Sequence, residues 1–283
     1  MPELPEVEVL VRHLQPLIRN KTVRNVRVFR ERIIAPTVPA HFKRALLGSK
    51  FTDLSRRGKY LHFRFRPRGS VKEQSLVGHL GMTGRMYLTR PNDPLPKHAA
   101  AVMDFGREQF VFEDTRYFGK LTLDTSALTR LGPEPFGPDF TVEYFAEALA
   151  RSSQSIKVKL LDQSLVAGVG NIYASEALYR AHVSPRLAGR RLKPEQVRKL
   201  HRAIREVLTD AIRFGSTVPL NHGRNSRGDG LFYFGAHPDT ANYYEERLRV
   251  YDRGGKSCRR CGGIIRRIVQ AARSTFYCPD CQK

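Results

Sequence analysis

Apolar residues recur at helical spacing near the start of the chain. Val7, Leu10, Val11, Leu14 and Leu17 share one helix face, and Pro5 falls in the first turn, where proline is tolerated. From Lys21 to about Leu123 the period shortens to two. Leu61, Phe63 and Phe65 alternate with Tyr60, His62 and Arg64 in a strand predicted over Lys59–Phe65. Phe110-Val111-Phe112 and Leu121-Thr122-Leu123 behave alike, and turn-forming pieces such as Arg90-Pro91-Asn92-Asp93-Pro94 separate the runs. This pattern predicts an antiparallel β-sandwich with the first helix packed on it. Leu131-Gly132-Pro133-Glu134-Pro135 reads as a linker, after which the period is helical again. Val197, Leu200, Ile204, Val207, Leu208 and Ala211 mark a helix opened by Pro194 and stopped at Gly215. The polar, glycine-rich stretch from Gly215 to about Thr240 predicts a long loop.

A length of 283 residues gives room for one or two domains with real cores. Charge adds more: 49 Lys+Arg face 27 Asp+Glu, a formal +22. Such an excess attracts polyanions, so nucleic acid is the expected partner. A membrane is not, because the chain has neither a long apolar run nor a signal-like start. The expected location is a bacterial cytoplasm, at the nucleoid. Arg186, Arg190, Arg191, Lys193, Arg198, Lys199, Arg202 and Arg205 crowd the approach to the long helix and its first half. One-sided crowding of this kind favours phosphate contact over a merely solvated face.

All four cysteines, Cys258, Cys261, Cys278 and Cys281, lie near the end as two C-x2-C pairs sixteen residues apart. That spacing predicts one structural zinc on four thiolates. Two disulfides would need an oxidising compartment, of which the sequence gives no sign.

Candidate chemistry begins at Pro2. Removal of Met1 is expected, leaving a secondary amine with an α-amino pKa near ~7.7–8.0, against ~10.4 for lysine. Such an amine attacks an aldehyde-level carbon and forms a permanently cationic iminium. Glu3 and Glu6 supply carboxyl groups beside it. Taken alone, these residues also suit an ordinary helix start. Gly168-Val169-Gly170-Asn171 predicts a helix start whose free N–H groups bind phosphate, with the Asn171 side chain as an added donor, or else a plain cap after a glycine turn. Lys59, on the apolar parity of its strand, either escapes to water at the sheet rim or reaches into a cleft toward a phosphate.

In combination the motifs are specific. Pro2-Glu3-Leu4-Pro5-Glu6-Val7-Glu8, Arg57-Gly58-Lys59-Tyr60-Leu61, His79-Leu80-Gly81-Met82, Asp114-Thr115-Arg116-Tyr117-Phe118-Gly119, Leu131-Gly132-Pro133-Glu134-Pro135, Gly168 to Glu176 and Arg273-Ser274-Thr275-Phe276-Tyr277-Cys278 follow in order over nearly the whole chain. The sequence closely resembles the formamidopyrimidine-DNA glycosylases, which share their architecture with endonuclease VIII. The resemblance implies an α+β protein with three parts. These are an N-terminal antiparallel β-sandwich with flanking helices (1–132), a helix–two-turn–helix domain with a lesion-capping loop (133–240) and a zinc-ribbon hairpin (241–283), with DNA in the cleft between domains.

It also implies activity and roles: a monomeric glycosylase and AP lyase acting on double-stranded DNA that carries oxidised bases or abasic sites. Pro2 attacks C1′, Glu3 is the acid/base, and Lys59, Asn171 and Arg273 hold phosphates. Met82, Arg116 and Phe118 fill the gap left by the extruded nucleotide. Glu6, which supports the first helix, His98 and Lys157 complete the residues expected at the DNA. Leu4, Met82, Arg116 and Phe118 follow the purine-repair pattern, so 8-oxoguanine and formamidopyrimidines are the expected lesions. Oxidised pyrimidines are the alternative. The loop from Gly215 to Gly230 departs from the family in being longer and more basic. A non-catalytic zinc-ribbon binder of damaged DNA would share the charge and the ribbon, but would have no need of Pro2 beside Glu3.

Overall fold

The period-two stretch folds into two four-stranded antiparallel sheets around a common apolar core. The computed structural model describes residues 2–215 and 247–283. By its contacts the chain divides into two compact units. Among the described residues the first comprises Pro2 and Glu6–Thr129, and the second Glu3–Pro5, Arg130–Gly215 and 247–283.

The elements of the first unit, from helix α1 onward, are α1 (Leu4–Ile18), β1 (Asn25–Val28), α2 (Pro39–Leu46), β2 (Lys50–Arg57), β3 (Tyr60–Arg66), β4 (Gln74–His79), β5 (Gly84–Thr89), β6 (Ala99–Asp104), β7 (Gln109–Asp114), β8 (Lys120–Thr122) and α3 (Ser126–Thr129). One sheet has the order β1-β6-β7-β5 and the other β2-β3-β4-β8. Inward residues mesh across the layers. Phe51 and Phe63 of one sheet meet edge to face at 5.8 Å, and Phe63 meets Phe110 of the other at 5.9 Å. Each such ring stabilises the fold by about 1.5–3 kcal/mol through burial. Val7, Leu10, Val11 and Leu14 of α1 join this core. Leu17 does not: it is 38% exposed, and Ile18 completes the stripe instead.

The second unit is helical, with a terminal hairpin. It contains α4 (Val142–Ala150), α5 (Ile156–Lys159), α6 (Asn171–Arg180), α7 (Pro194–Gly215), β9 (Arg266–Gln270) and β10 (Arg273–Tyr277). The Thr141 hydroxyl caps α4 by accepting from the Tyr144 N–H at 3.1 Å. On α7, Leu200, Ile204 and Leu208 are fully buried at four-residue spacing. Its basic crowding is less one-sided than the sequence suggests, since Lys199 pairs with Glu195 at 2.6 Å and Arg202 with Glu206 at 3.6 Å. None of the described helices is long and apolar enough to cross a membrane.

Candidate active site

In the first unit the candidate residues stand on turns. Pro2 is buried just ahead of α1, and the buried Glu6 lies in the first turn of α1, where a carboxylate complements the helix's positive end. Lys59 does not open a strand. Gly58, at φ +56°, turns the chain so that Gly58 and Lys59 form the tip between β2 and β3, and the ladder starts with the Arg57–Tyr60 pair. Nor does Lys59 escape to water, being only 8% exposed. His79 at the end of β4 is the neighbour that feels it. Burial, with the Lys59 charge adding to it, pushes the imidazole down to about 4, so His79 is neutral at physiological pH. Its Nδ1 accepts the Gly81 N–H at 3.1 Å, which pins the turn carrying Met82.

Two loops beyond the sheets present Met82, Arg116 and Phe118. Met82 and Phe118 are 41% and 45% exposed, and the Arg116 guanidinium lies 4.9 Å from the Phe118 ring centroid. The buried Asp114 carboxylate ties these loops together. Its Oδ1 accepts from the Thr83 hydroxyl at 2.5 Å and the Arg116 N–H at 3.1 Å, and its Oδ2 from the Gly119 N–H at 2.7 Å. The loops then pass so closely that a Cβ on Gly81 (φ +61°) would lie 2.7 Å from the Phe118 and Gly119 backbone, so only glycine fits. His98 joins the same group, its Nδ1 lying 3.2 Å from the Tyr117 hydroxyl.

In the second unit Glu3 and Lys157 are buried and Asn171 is half-buried, whereas Arg273 is exposed at the start of β10. The amides that open α6 are not free for phosphate, contrary to expectation. The Glu3 carboxylate takes them, accepting from the Ile172 N–H at 2.9 Å and the Tyr173 N–H at 3.4 Å. A side-chain carboxylate thus occupies the anion site of this helix start. Gly170 is required here because a Cβ on it would collide with the same carboxylate. Asn171 does not cap the helix. Its Oδ1 accepts from the Lys157 ammonium at 2.5 Å, and its Nδ2 donates to the Ser274 carbonyl at 2.9 Å. That second bond fixes Asn171 against the residue following Arg273. Lys157 is fully buried, and burial, reinforced by the Arg273 charge and opposed by Glu3, pushes its ammonium down to about 8.

Glu176 carries no role in the sequence reading, although it is the one carboxylate in the wholly buried run from Ile172 to Tyr179. It accepts from the N–H groups of Arg249, Val250 and Tyr251 at 2.9, 2.9 and 2.8 Å, anchoring the chain that leads into the hairpin. Burial raises its pKa, and these three donors work against the rise. Asp114 and His79 likewise have no role legible in the sequence. A carboxylate or imidazole interrupting an apolar run is the signal available for each.

The four cysteine sulfurs converge within 4.8 Å of one another. Cys258 and Cys281 are 3.9 Å apart and Cys261 and Cys278 3.5 Å, too far for disulfide bonds. A tetrahedron of ~2.3 Å Zn–S bonds has edges of about 3.8 Å, so the donor set fits zinc. The expected lesion-capping loop lies mostly in 216–246, outside the described residues.

Comparisons with known proteins agree with this geometry. Residues 1–121 match the formamidopyrimidine-DNA glycosylase N-terminal domain and 131–220 the formamidopyrimidine-DNA glycosylase H2TH domain. Residues 255–283 match the zinc finger found in FPG and IleRS, which together with the clustered thiols indicates one structural zinc site. A formamidopyrimidine-DNA glycosylase of Symbiobacterium thermophilum is 41% identical over all of this chain and 89% of its own length. The Thermus thermophilus protein of that name is 40% identical, covering 100% and 98%. Among solved structures, MutM in complex with carbocyclic 8-oxo-G containing DNA superposes with a TM-score of 0.86 at 32% identity, over 100% of both chains. Lactococcus lactis FPG with a FAPY-dG containing DNA gives 0.85 at 33%, over 99% and 100%.

Proposed function

The chain belongs to the formamidopyrimidine-DNA glycosylase family, and from that premise we propose that it excises 8-oxoguanine and formamidopyrimidines from double-stranded DNA and then cuts the strand as an AP lyase. It works in a bacterial cytoplasm on nucleoid DNA. Its working parts are a catalytic sandwich (1–132), a helix–two-turn–helix segment (133–240) and a zinc ribbon (241–283). One observation carries the reading: the residue after Pro2 is Glu3, whose carboxylate is held at a fixed point by the α6 amides.

The reaction follows from these groups. Inside a duplex C1′ is shielded, so the damaged nucleotide must swing out. Met82 and Phe118, exposed and apolar on loops braced by Asp114, fill the space it leaves, and Arg116 meets the orphaned base. His98, just ahead of β6 and within reach of the Tyr117 hydroxyl, and Glu6, which steadies α1, support that surface. With Met1 removed, the Pro2 nitrogen attacks C1′. The bond from C1′ to the base breaks, and Glu3 moves the protons that open the sugar ring. The resulting iminium acidifies a C2′ hydrogen; its loss expels the 3′ phosphate. A second elimination releases the 5′ phosphate. Lys59, Asn171 and Arg273 hold phosphates around the lesion, and Lys157 orients Asn171. The zinc is structural and takes no part in these steps.

Borohydride added during turnover tests the proposal on duplexes carrying 8-oxoguanine, formamidopyrimidine, thymine glycol or an abasic site. The expected result is covalent trapping on the first two and the abasic duplex. Trapping chiefly on thymine glycol would move the enzyme to pyrimidine repair, and none on any duplex would make it a binder.

A further inference from the structure

At the end of the β2–β3 hairpin opposite the Lys59 turn lies a hollow of about 610 Å³, within the usual ~300–1,000 Å³ range of binding sites. β2 runs eight residues, and its part of the lining, Lys50 to Asp53, lies roughly 13–23 Å from that turn at ~3.3 Å per residue. Five cations line it, Arg19, Lys50, Arg64, Arg66 and Arg68, against two carboxylates, Asp53 and Glu73. The carboxylates are committed. Asp53 pairs with Arg64 at 2.6 Å, and Glu73 lies 3.9 Å from Arg64 and 3.6 Å from Arg66. Arg19, Lys50 and Arg68 are exposed and make no ion pair among the described residues, so the hollow keeps about three uncompensated charges. Arg68 is held along the wall, its side chain passing 3.4 Å from where a Cβ on Gly48 would sit. Thr52, at the bulge between Phe51 and Asp53, lines the same wall, and its buried hydroxyl has no hydrogen-bond partner.

What binds there is limited by what the lining lacks. It has no aromatic ring and no large aliphatic side chain. Without a desolvated apolar anchor the hollow does not suit a protein partner. Without a stacking platform it does not suit a nucleoside or unpaired bases. Guanidinium and ammonium groups spaced along a concave wall suit phosphodiester oxygens.

We propose that this hollow is a second DNA-backbone site, which grips a duplex segment other than the one carrying the lesion, without regard to sequence. One protein can then hold two duplex segments at once, a means of passing between neighbouring stretches of DNA during search.

The test uses the zinc-loaded full chain saturated with a short duplex bearing a non-cleavable abasic analogue. A fluorescent 30-base-pair undamaged duplex is then titrated in at several salt concentrations, alongside a single strand of equal length. The proposal predicts a ternary complex with the duplex, and weaker binding of the single strand. The triple variant Arg19→Ala, Lys50→Ala, Arg68→Ala should weaken the second event at least tenfold and leave the first unchanged. It should also lower the slope of log K against log salt by about 2–3, at ~0.9 for each phosphate no longer neutralised. Arg19→Lys with Arg68→Lys should keep most of the binding, which separates charge from folding damage. Absence of a ternary complex at low salt, equal binding by the triple variant, or tighter binding of the single strand would each overturn it. Saturation by the lesion duplex is read independently; if it fails, the undamaged duplex and the triple variant are compared on the free protein.

Discussion

The two units solve opposite problems with their polar residues. In the first, the core is almost wholly apolar and the apolar wedges assigned to DNA stand out on loops, Met82 and Phe118 being roughly half exposed, while Lys59 and Glu6 are buried beside it. One buried carboxylate, Asp114, keeps those loops in place. In the second, Glu3, Lys157 and Glu176 are themselves buried, and each is engaged by backbone or amide partners. At these loops the first unit therefore separates stability from the proposed function. In the second the same hydrogen bonds would serve the fold and the proposed chemistry together, and its hairpin carries the zinc site.

That contrast is broken most forcefully by removing zinc. Chelation, or Cys278→Ser, should unfold the hairpin, since metal supplies an apparent ~10–16 kcal/mol in small zinc domains. Amide exchange should show protection lost through β9 and β10 while the sandwich strands keep theirs; a hairpin that stays protected without metal would deny the dependence. Next, Glu176→Ala leaves three N–H groups, that of Val250 buried and those of Arg249 and Tyr251 partly so, without their acceptor and should cost about 3 kcal/mol in urea unfolding, with Glu176→Gln less harmful. A loss under about 1 kcal/mol would show that the anchor does not matter.

Lys157 comes third, and its effect has a sign. With the folded pKa near 8 and the ordinary value 10.5, the unfolded chain binds the extra proton between them. Stability should therefore rise with pH across that window, by up to about 3 kcal/mol. Lys157→Met should abolish that part of the rise, and an unchanged profile would mean that folding does not lower the lysine's pKa. Asp114→Ala should cost about 2 kcal/mol and free the loops, seen as faster exchange at Arg116 and Gly119. The smallest stability change belongs to Phe118→Ala. It should shift unfolding by less than about 0.5 kcal/mol yet weaken lesion-duplex binding roughly tenfold, and a large unfolding shift would erase the separation claimed for the first unit.

Much of this is legible in the sequence, for reasons the comparison of the two units makes clear. Alternation at Leu61, Phe63 and Phe65 reveals a sandwich because a two-sided sheet must bury alternate residues. The cysteine spacing reveals the ribbon because tetrahedral thiolate coordination fixes it. Long-range polar pairing is not legible. No local pattern says that Glu3 reaches the amides of Ile172 and Tyr173, or that Asn171 joins Lys157 to Ser274, because those partners lie up to 170 positions apart. The predicted strand takes in Lys59 one residue too early because parity alone does not distinguish a strand's first residue from the turn before it.

The central claim is that the nitrogen of Pro2 becomes bonded to deoxyribose. Mass spectrometry of a borohydride-trapped, trypsin-digested complex tests it most directly. The expected result is the sugar adduct on the peptide running from Pro2 to Arg12, with Met1 absent. An adduct on Lys59 or Lys157 instead, or Met1 retained on fully active protein, would contradict it.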